Sequence, residues 1–168
     1  QRQMCIRDSY ERNSSHSESS VIERFLRDPK EVAEHNMLVD LERNDLSTLC
    51  RCGSVQLERF REVETYAHLH HLVSTISGRL LPGISLREIL RAMLPGGSIT
   101  GCPKARTIHW IDQLEPCFRG PYTGSFGTLS DDGDLRLNLI IRAMLVLNDR
   151  CYTQAGGGIV VDSTPEYE

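Results

Sequence analysis

"PGGSITGCPK", residues 95–104, decides how the rest of the chain is read. Gly96, Gly97 and Gly101 crowd Ser98 and Thr100, and Pro103-Lys104 then opens a helical pattern. Gly96 and Gly101 have the G-x-x-x-x-G spacing of a phosphate-binding P-loop. However, Cys102 and Pro103 stand where that loop needs Lys and Ser/Thr, and Lys104 is displaced. A P-loop lysine must reach the phosphates from a fixed position, so the match fails. The chain before the stretch also reads as helix rather than strand. Two readings stay open. Backbone N–H groups at a helix N-terminus, with the hydroxyls of Ser98 and Thr100, can cradle an anion, carboxylate as well as phosphate. Alternatively, the turn uses only glycine's dihedral freedom.

Upstream of this stretch, "VIERFLR" (21–27) reads as a short amphipathic helix ended by Asp28-Pro29. "PKEVAEHNMLVDLERNDLSTLC" (29–50) has Asp28 as N-cap, Pro29 at the first helical position and Glu31 three residues after the cap. Ala33, Met37 and Leu41 recur at i, i+4 and i+8, and Val32, Leu38 and Val39 widen the stripe. So broad a stripe predicts a largely buried helix. "SVQLERFREVETYAH" (54–68) reads as extended, and "LHHLVSTISGRL" (69–80) as a helix ending near Gly78. Ser85 and Glu88 form a capping box for "LREILRAML" (86–94).

Downstream, "PKARTIHWIDQLEP" (103–116) has helical spacing through Ala105, Ile108, Ile111 and Leu114. The character then changes. "YTGSFGTLS" (122–130), "DLRLNLIIRAMLVL" (134–147) and "CYTQAGGGIVV" (151–161) are β-rich runs separated by "DDG" and "LNDR" turn chemistry. A helical half followed by an antiparallel meander predicts an α+β fold, with helices packed on antiparallel sheet.

The 168 residues are enough for one domain with a real core. With 39% hydrophobic and 25% charged residues, the composition is ordinary for a globular protein. A net charge of -4 leaves no basic excess to neutralise phosphates, which excludes a general nucleic-acid binder. No apolar run approaches the roughly 20 residues that span a bilayer, and the N-terminus lacks a signal peptide's apolar region. None of the six cysteines forms a C-x-x-C pair, so reduced thiols in a cytoplasmic protein are expected. "QRQMCIRDS" (1–9) lacks periodicity and resembles a translated sequencing-adapter scar, so it is set aside as non-native. Residues 10–20 are Ser-rich and read as a loop, and the chain stops at "DSTPEYE" without a cap. Residues 10–168 are therefore expected to be part of a larger catalytic domain, truncated at both ends.

Four further features carry chemistry. Glu31 and Glu34 lie one turn apart on one helix face; they suit a hard divalent cation, although a capping residue beside a solvated one is the plainer reading. Arg142 sits amid aliphatic residues in "LNLIIRAMLVL", where burial demands an anion, unless alternation turns it to solvent. Gly156, Gly157 and Gly158 interrupt a strand, marking either close approach of a ligand or a bulge. His68, His70 and His71 suggest a metal cluster, but on a helix His70 and His71 cannot share a direction with His68. One of them lining a pocket is the better reading.

In consistent order, "AEHNMLVDLERND", "HHLVSTISG", "PGGSITGCPKAR", "RGPYTGSFG", "IIRAMLV" and "AGGGIVVDSTPEYE" resemble the chorismate-utilising enzymes. That family includes anthranilate, aminodeoxychorismate, isochorismate and salicylate synthases. The resemblance runs from about Asp28 to Glu168 and implies the chorismate-binding, anthranilate synthase-like fold. Within the family, "PGGSITG" and "HHLVST" look most like the aminodeoxychorismate synthase large component, which feeds p-aminobenzoate and folate. Anthranilate synthases more often carry a "GT-SG" version of the loop.

The resemblance implies a Mg²⁺ site. Glu34 matches a metal-binding glutamate, Glu31 supports it through water, and Glu168 matches the first glutamate of a second pair. It also implies that Arg142 and Tyr122 grip the enolpyruvyl carboxylate of chorismate, with backbone donors from Gly156, Gly157 and Gly158. Ser98 matches a hydroxyl near the ring carboxylate, and His71 a histidine beside the departing C4 hydroxyl. A glutamine amidotransferase would supply ammonia, and an upstream lysine would distinguish aminodeoxychorismate formation. Without that upstream segment the chain itself is expected to be inactive. Two positions depart from the family pattern: Glu42, where neutral residues are commoner, and Cys102, in place of Ala.

Overall fold

The computed structural model describes residues 2–11 (as backbone), 22–23, 26–159, 161 and 163. They fall into two compact units: residues 1–92 with 159–168, and residues 93–158.

The first unit is built on one helix and three strands. Helix α1 (Pro29–Ser47) starts as its cap predicts: the Asp28 carboxylate accepts the Lys30 and Glu31 N–H groups at 3.0 and 3.3 Å. His35, Leu38, Val39, Glu42 and Leu46 recur at helical spacing and are buried. Strand β1 (Arg2–Glu11), strand β2 (Gln56–Thr65) and strand β3 (Leu69–Gly78) form an antiparallel sheet in the order β1-β3-β2. Leu38, Val39, Leu46, Cys50 and Ile76 close the core between α1 and β3. Fully burying a leucine or isoleucine stabilises by roughly 1.5–3 kcal/mol, and this cluster contains three such side chains.

One expectation changes here. The 69–80 segment is a strand, not a helix, and it is the central one. Leu72, Val73 and Ile76 are each fully buried, so both faces of β3 are covered. A strand covered on both faces loses the polar alternation that betrays a strand, and its apolar run mimics a buried helix. The stretch set aside at residues 2–9, with Tyr10 and Glu11, supplies β1, in register from Arg2↔Gly78 to Glu11↔Leu69. Of "VIERFLR", residues 22, 23, 26 and 27 are helical and the rest lie outside the described residues, as do residues 12–21.

Helix α2 (Leu86–Met93) begins with the predicted capping box. Ser85 N–H and Oγ–H donate to Glu88 at 2.8 and 2.6 Å, and Glu88 N–H returns a 3.3 Å bond to Ser85 Oγ. These donors hold the Glu88 carboxyl below the usual glutamate range.

The second unit consists of turns, one helix and two hairpins. A 3-10 turn (Gly97–Ile99) leads into helix α3 (Lys104–Leu114), none of whose residues is buried. Strands β4 (Ser125–Leu129) and β5 (Leu135–Leu139) pair antiparallel, as do β6 (Met144–Leu147) and β7 (Arg150–Thr153). Asn148 and Asp149, at φ 49° and 58°, make the left-handed pair that a two-residue hairpin turn needs.

The run 134–147 is not one strand. The Ile140 carbonyl accepts Thr123 N–H at 2.8 Å and its N–H donates to Gly124 at 3.0 Å. Arg142, at φ 50°, then breaks the ladder, and β6 pairs with β7 rather than with β5. The glycine run does not interrupt a strand either: β7 ends at Thr153, and residues 154–159 follow without regular structure.

Candidate functional site

The opening stretch folds as a tight 3-10 turn before α3. Ile99 N–H bonds the Gly96 carbonyl at 3.3 Å and Thr100 N–H the Gly97 carbonyl at 3.2 Å. The Thr100 hydroxyl turns inward and donates to the Gly96 carbonyl at 2.8 Å. That removes it from the pair of ligand-facing hydroxyls expected here. Ser98 is half-buried, and no described residue shares a hydrogen bond with its hydroxyl. Gly101 is required twice over: its φ of 134° suits only glycine, and a Cβ would sit 3.1 Å from the Thr107 methyl carbon.

Tyr122 lies in the turn between α3 and β4, where its N–H bonds the Arg119 carbonyl at 3.1 Å. A Cβ on Gly156 would lie 3.2 Å from the Tyr122 hydroxyl. Tyrosine hydroxyl and glycine backbone are therefore neighbours. No described residue takes a hydrogen bond from that hydroxyl. Gln154 fixes the approach of the glycine run, its side-chain amide donating to the Phe118 carbonyl at 3.4 Å. Gly157 is exposed and Gly158 half-buried. Arg142 is exposed at the bend between β5 and β6, so the cost of burying its charge does not arise in this structure.

Arg119 was not foreseen. Its guanidinium forks onto Glu115, with contacts of 2.6, 2.9 and 3.1 Å, and also donates to the Ile99 carbonyl at 2.9 Å and to Thr123 Oγ1 at 3.2 Å. Its Cζ stands 6.0 Å from the centre of the Tyr122 ring. Hydrogen bonding to Glu115 raises the arginine's pKa, and hydrogen bonding to Arg119 lowers the glutamate's, so both stay ionised. The i, i+4 spacing of Glu115 and Arg119 was the one signal available in sequence.

In the first unit, Glu31 and Glu34 are half-buried in the first turns of α1. Two carboxylates one turn apart are the oxygen donors a small hard cation prefers, one or two side chains completed by water and substrate. Among the described residues, no three His, Cys, Asp or Glu side chains gather as a metal site, and Glu168 lies outside the described residues. His35 Nε2 and Ser74 Oγ share a buried 2.6 Å hydrogen bond, locking α1 to β3 directly beside Glu34.

That contact, with Ile76 in the core, shows which face of β3 the helix covers. His71 lies on the opposite face, half-buried, edge-on to Tyr66 with ring centres 5.2 Å apart. His70, on the covered face, bonds Thr65 Oγ1 through Nδ1 at 3.0 Å. Alternation along a strand, rather than helical phase, separates these two histidines.

The sequence matches the chorismate binding enzyme family over residues 2–168. The chain belongs to that family. It is 42% identical over 155 residues to aminodeoxychorismate synthase component 1 of Bacillus subtilis, covering 92% of this chain and 33% of that protein. It is 47% identical over 148 residues to anthranilate synthase component 1 of Arthrobacter globiformis, covering 88% and 28%. The crystal structure of anthranilate synthase component I from Streptococcus pneumoniae superposes with a TM-score of 0.83 at 40% identity, covering 96% of this chain and 36% of that one. The chain thus spans about a third of the length of the curated relatives it matches. No helix among the described residues is long and apolar enough to cross a membrane.

Proposed function

We propose that this chain is part of the large component of an aminodeoxychorismate synthase, which converts chorismate and ammonia to 4-amino-4-deoxychorismate and water. What supports the substrate class is the Tyr122 hydroxyl lying close to the Gly156 backbone, two groups able to donate to one carboxylate. Tyr122 and Arg142 would hold the enolpyruvyl carboxylate, with N–H groups of Gly156, Gly157 and Gly158 completing the grip. Ser98 would donate to the ring carboxylate, and His71 would hold the proton delivered to the departing C4 hydroxyl. Glu31, Glu34 and Glu168 would hold Mg²⁺, which when bound neutralises carboxylate charge on the ring. A glutamine amidotransferase would supply the ammonia, in a cytoplasmic setting.

The "PGGSITG" loop supports the aminodeoxychorismate product. A second reading, anthranilate synthase, is favoured by the 47% identity to the Arthrobacter globiformis protein. The two reactions differ in stoichiometry, because the anthranilate route also releases pyruvate. Full-length protein given chorismate, ammonia and Mg²⁺ is expected to form the amino-substituted product, enolpyruvyl group intact, without pyruvate. Pyruvate equal to chorismate consumed would select the anthranilate reading, and no chorismate consumption would reject both.

A further inference from the structure

Arg119 uses its guanidinium on protein rather than leaving it for a ligand. Two of its nitrogens face the Glu115 carboxylate: Nη2 donates at 2.6 Å, and the single Nε–H is shared between the two carboxylate oxygens at 2.9 and 3.1 Å. Its Nη1 reaches the Ile99 carbonyl and the Thr123 hydroxyl, at 2.9 and 3.2 Å. These acceptors belong to three separate pieces of chain: the residue that ends α3, the turn that carries Ser98, and the turn that carries Tyr122. Thr123 is itself buried in left-handed backbone at φ 62° and donates to the Tyr122 carbonyl at 2.6 Å. A planar fork imposes directions on all its partners at once, which a lysine's point charge cannot do.

From this geometry we infer that Arg119 is a positioning residue for substrate, setting the Ser98 hydroxyl and the Tyr122 hydroxyl at a fixed separation matched to two carboxylates of one small molecule. Helix α3, which joins these turns in sequence, has no buried residue. The Arg119 guanidinium bonds directly across them. The inference rests on the chorismate reading given above, and it names a residue that touches no substrate atom itself. Displacing a positioned group by about 1 Å can cost on the order of 100-fold in rate.

The test is steady-state kinetics on the full-length protein that carries this chain, varying chorismate and Mg²⁺ independently, with Tm measured alongside. Arg119→Ala is expected to raise the chorismate KM about 10- to 100-fold. The Mg²⁺ half-saturation at saturating chorismate is expected to stay at the wild-type value. Guanidinium ion in the assay is expected to recover part of the loss, and Arg119→Lys to remain impaired. Should Arg119→Ala fail to fold, Thr123→Val and Glu115→Gln each cut one tie and are expected to raise KM in the same selective way. An unchanged KM in folded variants overturns the inference. So does a rise in KM that comes with parallel losses in kcat, Mg²⁺ affinity and Tm, which would mark general unfolding. A wild-type protein that consumes no chorismate overturns the functional reading first, a result distinct from either.

Discussion

The two units of this chain hold their functional residues in opposite ways. In the first, α1 lies on a three-stranded sheet, and Leu46, Leu72, Val73 and Ile76 are fully buried. The candidate cation ligands Glu31 and Glu34 are fixed by the helix they belong to, which is locked by that core and by the His35–Ser74 bond. In the second, Phe126, Met144 and Val146 are 74%, 68% and 68% exposed, and α3 buries nothing. There Arg119 and Glu115 form a charged hub bonded to the turns that carry Ser98 and Tyr122. A charge-bearing helix can rest on apolar packing, whereas a loop that must present hydroxyls to an anion needs polar ties.

This contrast can be broken most sharply by cutting the core. Leu72→Ala is expected to lose about 2–5 kcal/mol in urea denaturation. Val146→Ala, on a hairpin exposed in this 168-residue chain, is expected to stay within about 0.5 kcal/mol of wild type when that same chain is denatured. Equal losses would erase the distinction between the units. Next in size is Arg142→Ala in the full-length protein, expected to weaken chorismate binding about 30-fold or more while leaving the unfolding curve in place. Unaltered turnover would remove Arg142 from the grip.

Smaller is Glu34→Gln, for which the Mg²⁺ concentration giving half-maximal activity is expected to rise about tenfold or more. An unchanged metal requirement would leave the acidic pair a capping and surface feature. The smallest effect is a pH dependence. Arg119 holds the Glu115 carboxyl below the usual glutamate range, so the pair stabilises the fold above the unfolded-state pKa. That contribution is lost as pH falls through the depressed folded-state value. Glu115→Gln is therefore expected to shallow the acid limb of the stability curve, and an identical acid limb would show that the pair is fully screened.

Much of the first unit was legible in sequence because its signals are local. Asp28, Pro29 and a wide apolar stripe define α1 without reference to anything distant, and Ser85 with Glu88 does the same for α2. The central strand was not, since burial on both faces removes the period-2 pattern and "LHHLVSTISG" carries apolar residues in helix-like spacing. In the second unit the turn residues at 131–133 and 148–149 marked the hairpins correctly. The break at Arg142 was hidden, because nothing in "LNLIIRAMLVL" other than the arginine itself suggests left-handed backbone. Thr100 and Arg119 illustrate the remaining limit. Whether a hydroxyl faces a ligand or its own turn, and whether an arginine joins three chain segments, depends on partners up to 20 residues away.

The most direct measurement is calorimetric titration of chorismate into the full-length protein, with and without Mg²⁺, for wild type and for Tyr122→Phe. The account predicts saturable, Mg²⁺-dependent binding by wild type and markedly weaker binding once the Tyr122 hydroxyl is gone. Binding that ignores both Mg²⁺ and the loss of that hydroxyl, or no binding at all, would contradict it.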